Sequence, residues 1–432
     1  IADYLGARFG KRQALSILVT AVATAAVLPY IALQFRALTQ AWGIIASSSP
    51  SATVSQEATG LIVAIVLALF TILFGARRMD GRERHQGMMS AVALESLVKL
   101  LAFVCVALLA LLYLRRPEVS STVDWSSQSL GRVDLSADFF TRTLISAFAI
   151  ICLPRQFHVM VVEAQENTHA RFARWVFPLY LLLIIVLVVP VNLAGSHLAA
   201  AYQGATISPD TYVQWFPGAL DNPWVSLIAF VGGISAATGM VIVATVSLAI
   251  MLTNEVAVPV MIRSKAEAGT ALLALGNHLR RVRQVTIVLI LIAAWFVSRE
   301  LHRIPWLSEI GFMSFLAAAQ LAPGLLAGLY WRRAHGLAVT TGLLAGLALW
   351  FYCLVLPALL NADSALLLNG PFGLEILRPQ ALGGWEGPGR LSYAAILSLG
   401  VNALLMAGLS GILRPSAADM RQAAVFMDPQ SR

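Results

Sequence analysis

Residues 226–262 read SLIAFVGGISAATGMVIVATVSLAIMLTNEVAVPVMI, and Glu255 is the first charged residue in this stretch. An apolar run of this length predicts a helix that crosses a hydrocarbon core of about 30 Å. At 100° per residue, a set of small or hydroxylated residues falls within one arc of about 140°. The set is Gly232, Ser235, Thr238, Gly239 and Thr245. Such a face either packs closely against another helix or supplies oxygens to a bound cation or solute, and this helix alone leaves both possibilities open.

The composition places the chain among polytopic membrane proteins. Hydrophobic residues make up 58% of the 432 positions and charged residues 12%, and the mean hydropathy is +0.77, which no soluble core explains. The net charge of +8 does not indicate nucleic-acid binding, because the arginines form short clusters at the ends of apolar runs, as topology signals do. Cys105, Cys152 and Cys353 lie inside apolar runs without a partner at metal-ligand spacing, so neither a disulfide framework nor a metal site is predicted.

The apolar segments predict an all-α fold with ten transmembrane helices. They cover residues 14–33, 61–75, 90–114, 139–153, 176–193, 226–262, 285–297, 310–329, 337–360 and 393–413. Lys and Arg are in excess on the side of the N-terminal tail, which assigns both termini to the cytoplasm. The predicted organisation is a cytoplasmic segment at 1–12, a transmembrane domain at 13–413 and a cytoplasmic tail at 414–432. Residues 39–58 are expected to form a loop and residues 263–284 a basic surface helix.

Glu95 and Lys99 are the costliest polar residues inside any predicted span. They lie one helical turn apart, with Glu before Lys, which is the favourable order for an ion pair on a helix. Two interpretations remain open for this pair. It either neutralises itself as a buried structural pair, or it faces a cavity as a gating or proton-coupled pair.

Seven short motifs are spread over nearly the whole chain. They are ADYLGARFG at 2–10, LPYIALQ at 28–34, ERHQGMM at 83–89, ALESLVKL at 93–100, LPRQFHVMVVE at 153–163, LTNE at 252–255 and GLYWRR at 328–333. Together they resemble the sodium/solute symporter family, to which the proline permease belongs. Within that family the motifs are most similar to the membrane regions of CbrA-type sensor histidine kinases.

The resemblance implies a LeuT-type fold with thirteen spans. Its core consists of two inverted five-helix repeats, and its binding sites lie near the bilayer midplane where discontinuous helices meet. On that template the chain starts after the third span, so it contains ten of thirteen helices and lacks the first core helix. The segment 139–153 then corresponds to the discontinuous sixth core helix.

The same resemblance assigns candidate solute-binding residues. Pro154 matches a proline in the substrate region of the permease, and the residues at matching spacing before it are Ser146 and Ile150, with Phe148 nearby. The aromatic residues that precede the permease proline do not carry over, which argues against proline as the solute. Pro154 is equally consistent with a simple helix stop at the membrane surface.

The resemblance also assigns a candidate ion site on the central helix. In the symporters two neighbouring hydroxyl residues complete a sodium site there, because a dehydrated cation needs converging oxygens. With LTNE aligned without gaps, this pair falls on Gly239 and Met240, which have no side-chain oxygen. A weakened site that relies on Ser235 and Thr238 is therefore expected, unless both residues serve helix packing alone.

These features predict the membrane region of a bacterial sensor histidine kinase that binds, and in one version also transports, an amino acid or similar nitrogenous solute. The alternatives are a stand-alone symporter coupled to sodium or protons and a purely structural scaffold. The chain has no phosphate loop, nucleophile elbow or carboxylate dyad, so no catalytic site is predicted in it. Kinase activity and a response-regulator partner would belong to a downstream region. The expected location is the bacterial inner membrane, and the expected coupling ion is sodium or the proton.

Overall fold

The computed structural model describes residues 1–46, 56–75, 86–121, 135–163, 167–202, 207–265, 272–301, 304, 307–361, 363–385, 387 and 389–427. Within these ranges the chain forms helices and contains no strand. The α-helices are α1 (Ala2–Arg8), α2 (Gln13–Ala46), α3 (Gln56–Gly75), α4 (Gln86–Leu114), α5 (Pro117–Ser120), α6 (Ala137–Cys152), α7 (Pro154–Phe157), α8 (Asn167–Ala201), α9 (Tyr212–Ala219), α10 (Pro223–Leu252), α11 (Val258–Lys265), α12 (Leu272–Glu300), α13 (Leu307–Ala319), α14 (Ala322–Tyr330), α15 (Gly336–Trp350), α16 (Leu356–Leu359), α17 (Ala365–Asn369), α18 (Arg390–Ile412) and α19 (Ala417–Met427).

The lengths and compositions of these helices confirm an all-α multi-pass membrane protein. In the described part of the chain, eight helices are long and apolar enough to cross a bilayer, and α6 with α7 adds a ninth crossing if the bent pair is one span. The predicted segment 61–75 lies in α3, whose apolar part, Thr59–Leu73, is shorter than the other spans. The count of ten spans therefore stays a prediction.

Two predicted boundaries differ from the structure. α2 continues to Ala46 and α3 begins at Gln56, so residues 39–46 and 56–58 of the expected loop are helical, while residues 47–55 lie outside the described ranges. Arg36 stabilises this extension because its Nη1 donates to the carbonyls of Leu301 at 2.9 Å and Ile304 at 2.7 Å. Much of the expected surface helix 263–284 is instead the beginning of α12, which runs without interruption into the next apolar segment.

The helix predicted within residues 226–262 forms as α10 and lies inside the bundle. α10 packs against α2, α3, α4, α9 and α12, and most of its second half is buried. At the periphery, α8 leaves large apolar side chains exposed, such as Leu179 at 65% and Ile185 at 61%. A contiguous apolar surface of this kind is typical of a helix that faces lipid.

A buried polar network ties α18 to the bundle. Asn402 Nδ2 donates to the backbone carbonyl of Gln320 at 2.8 Å and to its Oε1 at 3.0 Å, and Gln320 Nε2 donates to Ser398 Oγ at 2.9 Å. Gly342 and Gly346 of α15 lie against these groups, and a methyl group at either position would collide with them. Small residues on α15 therefore permit the close helix approach that completes the network.

The N-terminal helix and the C-terminal helix meet at one end of the bundle. Arg8 of α1 is fully buried, and its guanidinium donates to the carbonyls of Gly328 at 2.8 Å and Trp331 at 3.1 Å, where α14 ends. Asp419 of α19 is also fully buried, with its Oδ2 3.4 Å from Arg12 Nη2. The end predicted to be cytoplasmic is thus a structured unit in which α1, α14 and α19 pack together.

Candidate functional site

A sharp break separates α6 from α7. Leu153 has φ −63° and ψ 129°, an extended conformation between two helical segments, and Pro154 occupies the first turn of α7. The ring of Pro154 disfavours the helical conformation in the residue before it and is itself well suited to a helix start. The chain bends by 49° at this point and continues as a helix to Val162. Pro154 therefore begins a second helical segment after the break, a geometry that fits either a broken span or a helix stop followed by a short helix.

The four predicted solute-binding residues lie along α6 and at the start of α7. Ser146 Oγ donates at 2.7 Å to the carbonyl of Arg142 within its own helix. Phe148 packs against the main hydrophobic core, Ile150 is 39% exposed, and Pro154 is buried at the break. Ser146 and Ile150 are four positions apart and therefore share one face of α6, whereas Phe148 packs towards the core.

Two glycines on α10 form a close contact with α4. A methyl group at Gly232 would overlap the side chain of Ala102, and one at Gly239 would overlap Glu95 Oε2. From Gly232 to Gly239 the chain of α10 advances by seven residues, while their contacts on α4 go back by seven residues, from Ala102 to Glu95. The two helices are therefore antiparallel, and their backbones approach closely. We refer to the contact made by these four residues as the α4–α10 seam. The small face of the central helix thus serves packing along α4, and at one point it receives a carboxylate.

The Glu95–Lys99 pair lies in this seam. Lys99 Nζ is 3.5 Å from Glu95 Oε1, and the exposed fraction is 10% for the Glu95 side chain and 25% for that of Lys99. Arg155 of α7 lies near enough to interact electrostatically with Glu95, and the phenol of Tyr180 on α8 does so as well. A carboxylate predicted from the sequence to pair with its own helix is therefore surrounded by groups from three further helices.

Tyr30 contacts Met240, the second of the two α10 residues that align with the hydroxyl pair of the symporters. Its hydroxyl lies 3.2 Å from Met240 Sδ, and the Arg155 guanidinium lies 5.7 Å from the centre of its ring, a cation–π distance. Gly239 and Met240 have no side-chain oxygen of their own, yet Glu95 from α4 and Tyr30 from α2 bring oxygen atoms to them. Sequence reasoning missed Tyr30 and Arg155, although both belong to motifs that carry the family resemblance.

Ser235 and Thr238 are both half-buried on α10. Ser235 lies between the two seam glycines on the same arc, and Thr238 directly precedes Gly239. No cluster of three or more His, Cys, Asp or Glu side chains suited to a metal ion occurs in the part of the chain that the structure describes. Glu95 brings a carboxylate oxygen to this helix beside Gly239.

A cavity of about 200 Å³ lies at the end of the bundle opposite α1. Its charged lining comes from Asp138 and Arg142 of α6, Glu309 of α13 and Arg390 of α18. Asp138 accepts a hydrogen bond from Ser392, and the Arg142 guanidinium lies 5.3 Å from the centre of the Phe312 ring. Two carboxylates and two guanidiniums give the cavity partners for both ends of a zwitterion. These residues lie at the ends of apolar segments, where sequence reasoning treated charge as a topology signal.

Comparison with known proteins identifies no family. No protein-family model matches the chain, and no curated protein matches it.

Proposed function

We propose that this chain is the solute-binding membrane region of a bacterial sensor histidine kinase with a LeuT-type core of ten helices out of thirteen. It binds an amino acid or a similar small nitrogenous solute, and solute movement is coupled to protons. The observation that supports this proposal is the break at Leu153, because transporters of this architecture build their sites where a spanning helix is interrupted. The charged residues that gather beside the break, Glu95 and Arg155, add support, because ionisable groups inside a membrane mark substrate or ion paths.

The runner-up is a stand-alone symporter with the same fold. The amphoteric cavity lined by Asp138, Arg142, Glu309 and Arg390 supports solute entry in both versions. The reading frame downstream of Arg432 distinguishes them, since only the sensor requires a kinase with a phosphoacceptor histidine and a response regulator as partner. Both proposals place the protein in the bacterial inner membrane.

Replacing Pro154 with alanine tests the role of the broken helix. Alanine allows Leu153 to become helical, which straightens the α6–α7 joint and moves the residues on either side of it. We expect the affinity for the bound amino acid to fall about tenfold, or about 1.4 kcal/mol. The measurement is binding of tritiated amino acids, offered one at a time, to the full-length protein in detergent.

Pro190→Ala is the matched control, because Pro190 lies inside α8, which continues through it without a break. This variant should bind like the unmodified protein. Equal affinities for the Pro154 and Pro190 variants would show that the break does not shape the site. Absence of binding for every amino acid tested would contradict the proposed solute.

Sodium independence is a second expected result. Because Gly239 and Met240 lack side-chain oxygens, uptake of the bound amino acid into vesicles should change little when choline replaces sodium. Collapse of the proton gradient should abolish uptake. Loss of uptake without sodium, together with the same loss in Thr238→Ala, would instead assign the ion site to Ser235 and Thr238.

A further inference from the structure

The carboxylate of Glu95 has unusual neighbours where it lies against Gly239, a position that we call its seat. Its Oε2 rests against the Cα of Gly239, which offers only C–H groups, and its Oε1 has the Lys99 ammonium at 3.5 Å. An ionised carboxylate normally collects several N–H or O–H donors, and a C–H contact replaces very little of that stabilisation. The ionised form is therefore held chiefly by nearby positive charge, and a neutral carboxylic acid would lose less on being buried there.

A purely structural ion pair would not require this seat. Glu95 and Lys99 are on one helix and can pair at a lipid-facing or solvent-facing position without any notch in a neighbouring helix. Here the carboxylate end of the pair enters the α4–α10 seam, where it is only 10% exposed, and the ammonium end is the more accessible one at 25%. The packing of α4 against α10 thus fixes where the carboxylate lies, and the carboxylate in turn fills the space that Gly239 leaves between the two helices.

We propose that Glu95 is the proton-binding site of this membrane region. Its carboxyl group stays against Gly239 or moves away from it according to its charge. A hydronium ion of the adjoining water transfers its proton to a carboxylate oxygen and becomes water, so one O–H bond breaks as one forms, and the attraction between the carboxylate and Lys99 is lost. This inference deepens the proposed function, on which it rests, by naming the group that binds the coupling ion. Opening of the seam after protonation would move α4 relative to the central helix beside the Leu153 break.

The charges around the seat are few. Lys99 acts from the same helix, Arg155 from α7 and the phenol of Tyr180 from α8. Of the other helices packed against α4, α9 and α10 contain no charged residue, α3 contains Glu57 in its first turn, and α5 contains Glu118 beyond the far end of α4. Tyr180 also donates at 3.4 Å to the carbonyl of Ser96, next to Glu95 in the chain. A single carboxylate between two cationic side chains is therefore the group at this seat that gains or loses a proton.

Infrared spectroscopy of the full-length protein tests the inference without any solute. The protein is placed in nanodiscs of phosphatidylethanolamine and phosphatidylglycerol and titrated from alkaline to acidic pH, and the carbonyl band of protonated carboxylic acids is recorded. We expect one component of this band to be lost in Glu95→Gln. Glu118→Gln, which removes an exposed carboxylate of the short helix α5, should keep that component. Gly239→Ala should change the position of the component without removing it, because the carboxyl group must leave the Gly239 backbone.

The neutral pair Glu95→Gln with Lys99→Met provides a second variant if the single change prevents folding, since it strands no buried charge. It should also lack the component. An unchanged titration in either folded variant overturns the inference. Because no amino acid is added, failure of solute binding by the unmodified protein would contradict the proposed function and leave the assignment of the proton site intact.

Discussion

Replacing Arg8 with methionine is expected to destabilise the protein by about 3 kcal/mol, because buried carbonyls lose charge-assisted hydrogen bonds. Arg8 is fully buried and donates through Nε to Gly328 and through Nη2 to Trp331. The last carbonyls of a helix have no partner within it, so Arg8 satisfies the end of α14 from another part of the chain. Burial lowers the pKa of Arg8 from its ordinary value, opposed by Tyr4 and Asp419.

Thermal unfolding of the purified protein measures this effect. Arg332→Met is a suitable control, because Arg332 is exposed and lies next to the same helix end. We expect a clear fall in melting temperature for Arg8→Met and almost none for the control. Arg8→Lys should recover only part of the loss, since an ammonium lacks the planar fork that reaches two carbonyls at once. A lysine variant as stable as the unmodified protein would show that the positive charge alone matters.

The membrane-spanning helices could be predicted from the sequence because their lengths and composition follow from local rules. A chain inside a bilayer must satisfy its backbone hydrogen bonds within each segment, so hydropathy alone finds the spans. The boundary of α2 was harder, since Arg36 makes the extension favourable only through carbonyls near the end of α12. Hydropathy also identifies α3 less clearly as a membrane span than the other helices, because its apolar part is short.

The candidate site was less predictable because its contacts join distant positions. Gly239 was recognised as a residue without an oxygen, but nothing in the sequence says that Glu95 Oε2 would lie against it. Tyr30 and Met240 lie 210 positions apart, so their contact depends on how α2 and α10 pack. The pairing of Glu95 with Lys99 was readable from its spacing, whereas the approach of Arg155 required the bend at Leu153.

These contacts change how the small face of α10 is understood. Packing and ion binding were separate alternatives for that face when only the sequence was considered. In the structure, Gly232 serves packing against Ala102, and one heptad further Gly239 makes room for a carboxylate. The same property, the absence of a side chain, therefore has two consequences on one helix face, and the neighbour on α4 decides which applies.

Asp419 is expected to hold α19 against the membrane helices, and Asp419→Ala should release it. The carboxylate is fully buried, 3.4 Å from Arg12 and 3.9 Å from His335, and it accepts a hydrogen bond from the backbone N–H of Ser416. Ser416 Oγ in turn accepts from the backbone N–H of Asp419, so the two residues form a reciprocal cap at the start of α19. Removing the carboxylate loses the ion pair and half of the cap, at an expected cost of about 3 kcal/mol.

Hydrogen exchange of the full-length protein in nanodiscs measures the release. Residues 417–427 should lose their protection in Asp419→Ala, whereas Arg421→Ala, which changes an exposed side chain on the same helix, should leave protection unchanged. Asp419→Asn should fall between the two, because the amide oxygen can still cap the helix but does not pair with Arg12. In the proposed sensor, α19 leads from the spanning helices to the downstream region, so its release should also uncouple solute binding from kinase activity. Retained protection in Asp419→Ala would show that packing of α19 on α1 and α14 is sufficient to hold it.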